Sequence, residues 1–230
     1  MKMSWGDGIG LQSKQSKAAL AAVIIAVAAA VLIGYSVSGG KSLWFDRAVS
    51  SAVTGVFSAS SYPLFEFFTW FGDKQGIGLA ALIVLAWLWF KKRDYLGMAV
   101  LVIAVALGNE ASKRLKELFG RERPELEHIT EVNSLSFPSG HAMVGGILYL
   151  LTAYFVIKEL KSAGARVMAA AAFALWILLI GISRIVLQVH YPTDVAGGYA
   201  FAFIWVYIWV IFYVFMNSRF GRTANLRQEE

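Results

Sequence analysis

The chain has no cysteine. Thiolate metal sites, disulfides and thiol nucleophiles are therefore excluded. Charge is also scarce, at 16% of the 230 residues, where soluble domains carry about a quarter. There is no internal repeat, proline-rich linker or low-complexity tract, so the length fits one domain. The excess lies on the apolar side: 58% of residues are hydrophobic and the mean hydropathy is +0.60. That balance points to an integral membrane protein. The net charge of +6 then reads as basic cytoplasmic loops and contact with anionic headgroups. No basic patch carries interleaved exposed aromatics, so nucleic acid is not an expected partner.

A helix needs about 20 apolar residues to cross the hydrocarbon core. Six segments meet or approach that length: Ala18 to Val37, Ile77 to Phe90, Tyr95 to Leu115, His141 to Ile157, Val167 to Val189, and Asp194 to Met216. The second and fourth are short and are expected to extend into their flanks. The fold class is all-α: a six-span transmembrane helix bundle, with short interfacial helices between spans 1 and 2. A cytoplasmic N-terminal tail (1–17) and C-terminal tail (219–230) flank a membrane domain over 18–218.

The stretch from Lys41 to Lys74 is too polar for a clean span, but it holds the aromatic clusters Leu43-Trp44-Phe45 and Phe67 to Phe71. Tryptophan favours the headgroup level, which fits interfacial or re-entrant helices. An outer loop with aromatic anchors is the plainer alternative. The first segment also has features of a secretory signal peptide, but its long polar N-tail and near-full span favour a retained helix.

With the N-terminus in the cytoplasm, 12 of the 21 Lys and Arg residues fall inside, as the positive-inside rule prefers. The other nine are not scattered. Lys113, Arg114, Lys116, Arg121 and Arg123 crowd one outer stretch, and Arg184 ends span 5 on the same side. Cations concentrated there need a reason.

Three polar clusters sit at those outer helix mouths. In the first, Lys116 to Pro124, a continuing helix puts Lys116 and Arg123 two turns apart on one face, until Pro124 stops it. A solvated helix end, with Glu117, Glu122, Glu125 and Glu127 nearby, explains the same residues. In the second, Pro138-Ser139-Gly140-His141, Ser139 suits an N-cap and Gly140 admits close approach to the backbone. The free amides of the following helix make an anion site. A capped helix with an incidental histidine is the alternative. In the third, Ser183 to Asp194, an arginine ends an apolar run, a costly placement that is usually functional. His190 and Asp194 are four apart, and Pro192 suits a first helical turn. The carboxylate can hold one ring nitrogen and leave the other as a nucleophile. A structural His–Asp bond is the alternative there. Taken together, three cations, two histidines, one aspartate and an anion-binding helix start fall at one membrane face. No structural requirement gathers them.

The three clusters resemble the motifs of the type 2 phosphatidic acid phosphatases, integral membrane lipid phosphatases. Those motifs read K-x6-R-P, P-S-G-H and S-R-x5-H-x3-D. They appear here as Lys116 with Arg123-Pro124, Pro138 to His141, and Ser183-Arg184 with His190 and Asp194. The resemblance implies that His190 attacks phosphorus, Asp194 holds its ring, and His141 protonates the leaving group and then activates water. It implies that Lys116, Arg123 and Arg184, with Ser139 and Gly140, bind the phosphate, and that no metal or cofactor takes part. The expected partner is a membrane lipid phosphate. The expected location is the inner membrane of a bacterium, with the active site facing outside. Within the family the short outer loop and Pro-Ser-Gly-His look most like phosphatidylglycerophosphate phosphatases of the B type. Undecaprenyl pyrophosphate phosphatases are the near alternative, many of which resemble the pattern with Asp where Gly140 stands. A non-enzymatic lipid phosphate binder or transporter is the alternative of another class; it has no need of His190, His141 and Asp194. Arg121, outside the motifs, is expected to touch the lipid headgroup.

Overall fold

The computed structural model describes residues 14–40, 42–124 and 134–226. Both ends of the chain and residues 125–133, with Glu125 and Glu127, lie outside the described residues. Eight α-helices appear among the described residues: α1 (Lys14–Val37), α2 (Trp44–Val56), α3 (Tyr62–Trp70), α4 (Lys74–Trp87), α5 (Tyr95–Phe119), α6 (Gly146–Glu159), α7 (Ala163–Val186) and α8 (Pro192–Leu226). A π-helical turn, Leu88–Lys92, prolongs α4, and another, His141–Gly145, leads into α6. Six helical segments are long and apolar enough to span a membrane. The two short segments do extend, to Lys74–Lys92 and His141–Glu159.

The span through α6 is the axis of the bundle. It is 61% buried, against at most 33% for any other span. Met143, Ile147, Leu148, Leu151 and Phe155 fill the core beside Val100, Leu101 and Ala104 of α5, Ile177 and Ile180 of α7, and Ala202 and Val206 of α8. The outer helices expose apolar side chains such as Ile25, Leu32, Leu82, Ile83 and Met168, as a lipid-facing surface should. Helix α1 packs on α8, so it is an integral part of the bundle.

Two departures from the sequence reading shape the end of the bundle that carries the three polar clusters. Helix α5 stops at Phe119, because Gly120 takes a left-handed conformation (φ 60°) and its amide caps onto the Lys116 carbonyl at 2.9 Å. A glycine in that position commonly terminates a helix. Arg123 therefore lies beyond the helix, not two turns along it. Helix α7 ends at Val186, three residues early. The carbonyl of Arg184 accepts the amides of Val189 (3.1 Å) and His190 (3.3 Å), with Gln188 left-handed at φ 59°. That reversal delivers His190 to the mouth of α8.

The stretch after α1 forms no span. Helices α2 and α3 lie against α7, and α2 also against α8. Trp44 and Phe45 are exposed, consistent with the interfacial reading. At the opposite end of the bundle, Lys158 of α6 meets Asp94 at 2.9 Å and donates to Tyr213 of α8 at 2.6 Å. Tyr213 donates to the same Asp94 at 2.6 Å. That knot ties α5, α6 and α8 together.

Close approach between α8 and the turn before α6 depends on Gly198. A Cβ there would stand 2.8 Å from Ala142 Cβ and 2.9 Å from the Ser139 carbonyl oxygen. Neither neighbour is a flexible side-chain end. Gly198→Val is expected to cost about 1–3 kcal/mol by overpacking and to push the Ser139 turn off α8. Thermal unfolding in detergent, with phosphate binding measured alongside, checks both effects.

Candidate active site

The Pro138-Ser139-Gly140-His141 turn rests directly on α8: the Ser139 amide donates to the Asp194 carbonyl at 3.0 Å. The Ser139 carbonyl accepts the Met143 amide at 2.9 Å and so opens the helix. The expected N-cap bond is absent. The Ser139 hydroxyl is buried and, among the described residues, has no hydrogen-bond partner. Gly140 has helical angles, and a Cβ there would meet only Ser112 Oγ, at 4.0 Å. The turn thus presents a hydroxyl and the unpaired first amides of a helix beside open space.

His190 sits in the loop that α7 releases, with 3% of its surface exposed. Its Nδ1 lies 3.4 Å from Asp194 Oδ2 and 3.3 Å from Ser136 Oγ, while its Nε2 lies 3.3 Å from Arg123 Nη1. Asp194 stands in the first turn of α8. Its Oδ2 accepts the Tyr191 amide at 2.8 Å and the Ser136 hydroxyl at 2.5 Å. Burial, then the positive charges of Arg123, Arg184 and Lys116, holds His190 well below its ordinary pKa. The ring is neutral at pH 7, with Nδ1 held and Nε2 turned toward the cations.

Three cations close on this ring. Lys116 Nζ is braced on the carbonyls of Leu135 and Ser136. Arg123 donates to the Ser134 and Val189 carbonyls at 2.6 Å each. Arg184, 3% exposed, donates to Thr69 Oγ1 at 2.6 Å, and its Nε is buried without a partner among the described residues. His141 opens the next span, and its Nε2 lies 2.8 Å from Asp73 Oδ1. Every motif residue named from the sequence is thus brought to one end of the bundle. Lys113 and Arg114 are not part of the site: they pair with Glu110 and Glu117 on the exposed side of α5.

Arg121 departs from its expected role. It is fully buried, and so are the two carboxylates it joins. Its Nη1 donates to Asp194 Oδ1 and its Nη2 to Asp46 Oδ2, both at 2.6 Å. Its guanidinium also stacks on Tyr191, 4.1 Å from the ring centroid. Asp46, from α2, binds the Thr193 amide and hydroxyl at 2.9 and 2.8 Å. A headgroup cannot reach this guanidinium. Arg121 is a structural bridge between α2 and α8.

Four contributors escaped the sequence reading: Ser136, Asp46, Thr69 and Asp73. Three of them come from the 42–73 stretch, where no motif spacing marks them. Beside His190 and Arg123, a cavity of about 640 Å³ opens toward α2, walled by Arg47, Ser50, Ser51 and Thr54. Among the described residues no group of three or more His, Cys, Asp or Glu side chains is placed to hold a metal ion.

A membrane helix bundle with a buried His–Asp pair inside a ring of cations defines the class as an integral membrane phosphatase. Residues 94–219 match the PAP2 superfamily, and the chain belongs to it. Phosphatidylglycerophosphatase B of Bacillus subtilis is 30% identical over 156 residues, covering 67% of this chain and 76% of that protein. A lipid A 1-phosphatase of Rhizobium johnstonii is 33% identical over 45% of this chain and 42% of its own. An Escherichia coli protein provisionally named an undecaprenyl-diphosphatase is 30% identical over 51% of this chain and 57% of its own. The crystal structure of a transmembrane PAP2-type phosphatidylglycerolphosphate phosphatase from Bacillus subtilis superposes with a TM-score of 0.75 at 23% identity, covering 83% of this chain and 94% of that one. That likeness shows a shared fold.

Arg121→Met strands two buried carboxylates. Breaking such a pair costs about 3–5 kcal/mol, and here it also frees Asp194. The expected outcome is a large fall in the unfolding temperature together with at least a roughly 100-fold loss of turnover. Arg121→Lys, which keeps the charge but not the fork, is expected to recover only part of each. Thermal unfolding and phosphate release on the same preparations check this.

Proposed function

We propose that this protein hydrolyses the phosphomonoester of phosphatidylglycerophosphate and related lipid phosphates, without a metal, through a phosphohistidine on His190. The observation that carries the reading is the neutral, buried His190 ring, with Nδ1 held by Asp194 and Ser136 and Nε2 turned to Arg123. In the first step Nε2 attacks phosphorus as the bond to the lipid oxygen breaks. His141 gives that oxygen its proton, and the lipid alcohol leaves. In the second step His141 takes a proton from water, which displaces the phosphoryl group and restores neutral His190. Lys116, Arg123 and Arg184 balance the charge on the non-bridging oxygens, with the Ser139 hydroxyl and the amides near Gly140. The buried Ser139 Oγ and Arg184 Nε, without a hydrogen-bond partner among the described residues, are suited to an anion. Three cations around the same point disfavour a metal ion there.

The Bacillus phosphatidylglycerophosphatase, which shares the larger part of the chain, supports the monoester substrate. The Escherichia coli relative supports a second reading, hydrolysis of undecaprenyl pyrophosphate by the same residues. Gly140 bears on the choice, since space for a larger side chain exists there. The assembled His190, Asp194 and His141 argue against a non-catalytic binder. The basic residues at the far end of the spans support cytoplasmic termini and an active site at the outer face of a bacterial inner membrane.

The test is phosphate release by purified protein in mixed micelles, comparing phosphatidylglycerophosphate, phosphatidic acid and undecaprenyl pyrophosphate. Phosphatidylglycerophosphate is expected to turn over fastest, and a chelator to change nothing. His190→Ala is expected to lose at least about 1,000-fold, and acid-labile phosphoryl label on the wild type to disappear with it. Turnover retained by His190→Ala rules out the nucleophile, inhibition by the chelator rules out the metal-free route, and preference for the pyrophosphate selects the second reading.

A further inference from the structure

Asp73 immediately precedes α4, the place where an aspartate ordinarily turns its carboxylate back onto the free amides of the first helical turn. It makes no such cap. Its Oδ1 lies instead 2.8 Å from His141 Nε2, across the gap between two spans. Gly72 is what lets the two come together: a Cβ there would stand 2.6 Å from His141 Cδ2 and 2.9 Å from Ile180 Cγ2. A forfeited cap and an obligatory glycine, side by side, serve one contact.

Around His141 the other charged or titratable groups are Arg184 of α7, Arg123 from the segment after α5, and His190 from the loop before α8. Both arginines repel a proton from the ring. Among the described residues, Asp73 is the one carboxylate in the groups acting on it. Burial alone raises the Asp73 carboxyl, but the His141 hydrogen bond and the charges of His141 and Arg184 bring it below its ordinary value. It is ionised at neutral pH and half exposed, at 51% of its side chain.

We propose that Asp73 is the positioning residue of the leaving-group acid: its carboxylate fixes the His141 ring through Nε2 and offsets the two arginines, so that the ring can take up the proton it must give. This rests on the reading of His141 as that acid. With Nε2 paired to the Asp73 carboxylate, the transferable proton sits on Nδ1. It passes to the departing lipid oxygen as the phosphorus–oxygen bond breaks, leaving neutral His141, which regains a proton from water in the second step. Asp194 and Asp73 thus divide the two histidines between them: Asp194 holds Nδ1 of the ring that attacks, Asp73 holds Nε2 of the ring that protonates.

The test is Asp73→Asn, assayed as kcat/KM between about pH 5 and 9 on two phosphomonoesters in one micelle system. One is a phosphatidic acid, whose alkoxide must be protonated to leave. The other is p-nitrophenyl phosphate, whose phenolate leaves without help. Because kcat/KM reports only steps up to the phosphohistidine, slow water attack does not blur the comparison. The variant is expected to lose roughly 30-fold or more on the lipid and less than about 3-fold on the nitrophenyl ester. Its alkaline limb on the lipid is expected to move to lower pH, and Asp73→Glu to regain part of the loss. Equal losses on both esters with the limb in place, from an active wild type, overturn this inference alone. A wild type idle on both esters overturns the phosphatase reading and this inference with it.

Discussion

The site end of this helix bundle depends on one buried charge bridge, Asp46–Arg121–Asp194. A guanidinium removed from water is tolerable only when its charge and its donors are met. Here two carboxylates from distant parts of the chain meet them. The bridge fixes where the 120–124 segment runs, holds α2 over the mouth of the bundle, and orients Asp194. His190, Arg123 and the Ser139 turn, which bonds the Asp194 carbonyl, all take their positions from that frame. Asp194 therefore serves two masters with separate oxygens, Oδ1 facing Arg121 and Oδ2 facing Ser136, Tyr191 and His190.

A cationic site at a membrane surface raises a second physical problem, because cations crowded together repel. The protein meets it with backbone carbonyls more than with acids. Lys116 and Arg123 lean on Leu135, Ser136, Ser134 and Val189 carbonyls. Carbonyl dipoles brace the side chains without cancelling their charge, which leaves the field available to an anion.

Much of this was legible in the sequence because it is encoded locally. Apolar runs mark the spans, and fixed spacings such as Arg184, His190 and Asp194 mark the site. Three of the four prolines, Pro124, Pro138 and Pro192, punctuate it. The supporting layer was not legible, because it is made by contacts remote in sequence. Asp46 reaches Thr193 across 147 positions, and Thr69 reaches Arg184 across 115. Arg121 was misread for the same reason: an arginine near a phosphate motif looks like a ligand until burial is known. The end of α5 was misjudged on a local signal, Gly120, which outranked Pro124 as the stop.

The two shortest spans, Lys74–Lys92 and His141–Glu159, have 19 residues each, and both begin at the site, beside Asp73 and at His141. At 1.5 Å per residue each measures about 28 Å, close to the roughly 30 Å of hydrocarbon in a typical bilayer. They leave no slack for tilting. The longer helices around them can lean to suit a thicker membrane, but these two hold the histidine at a set height above the acyl chains. The bundle carries its own ruler, and the thickness of the lipid around it sets the level at which a lipid headgroup meets His141.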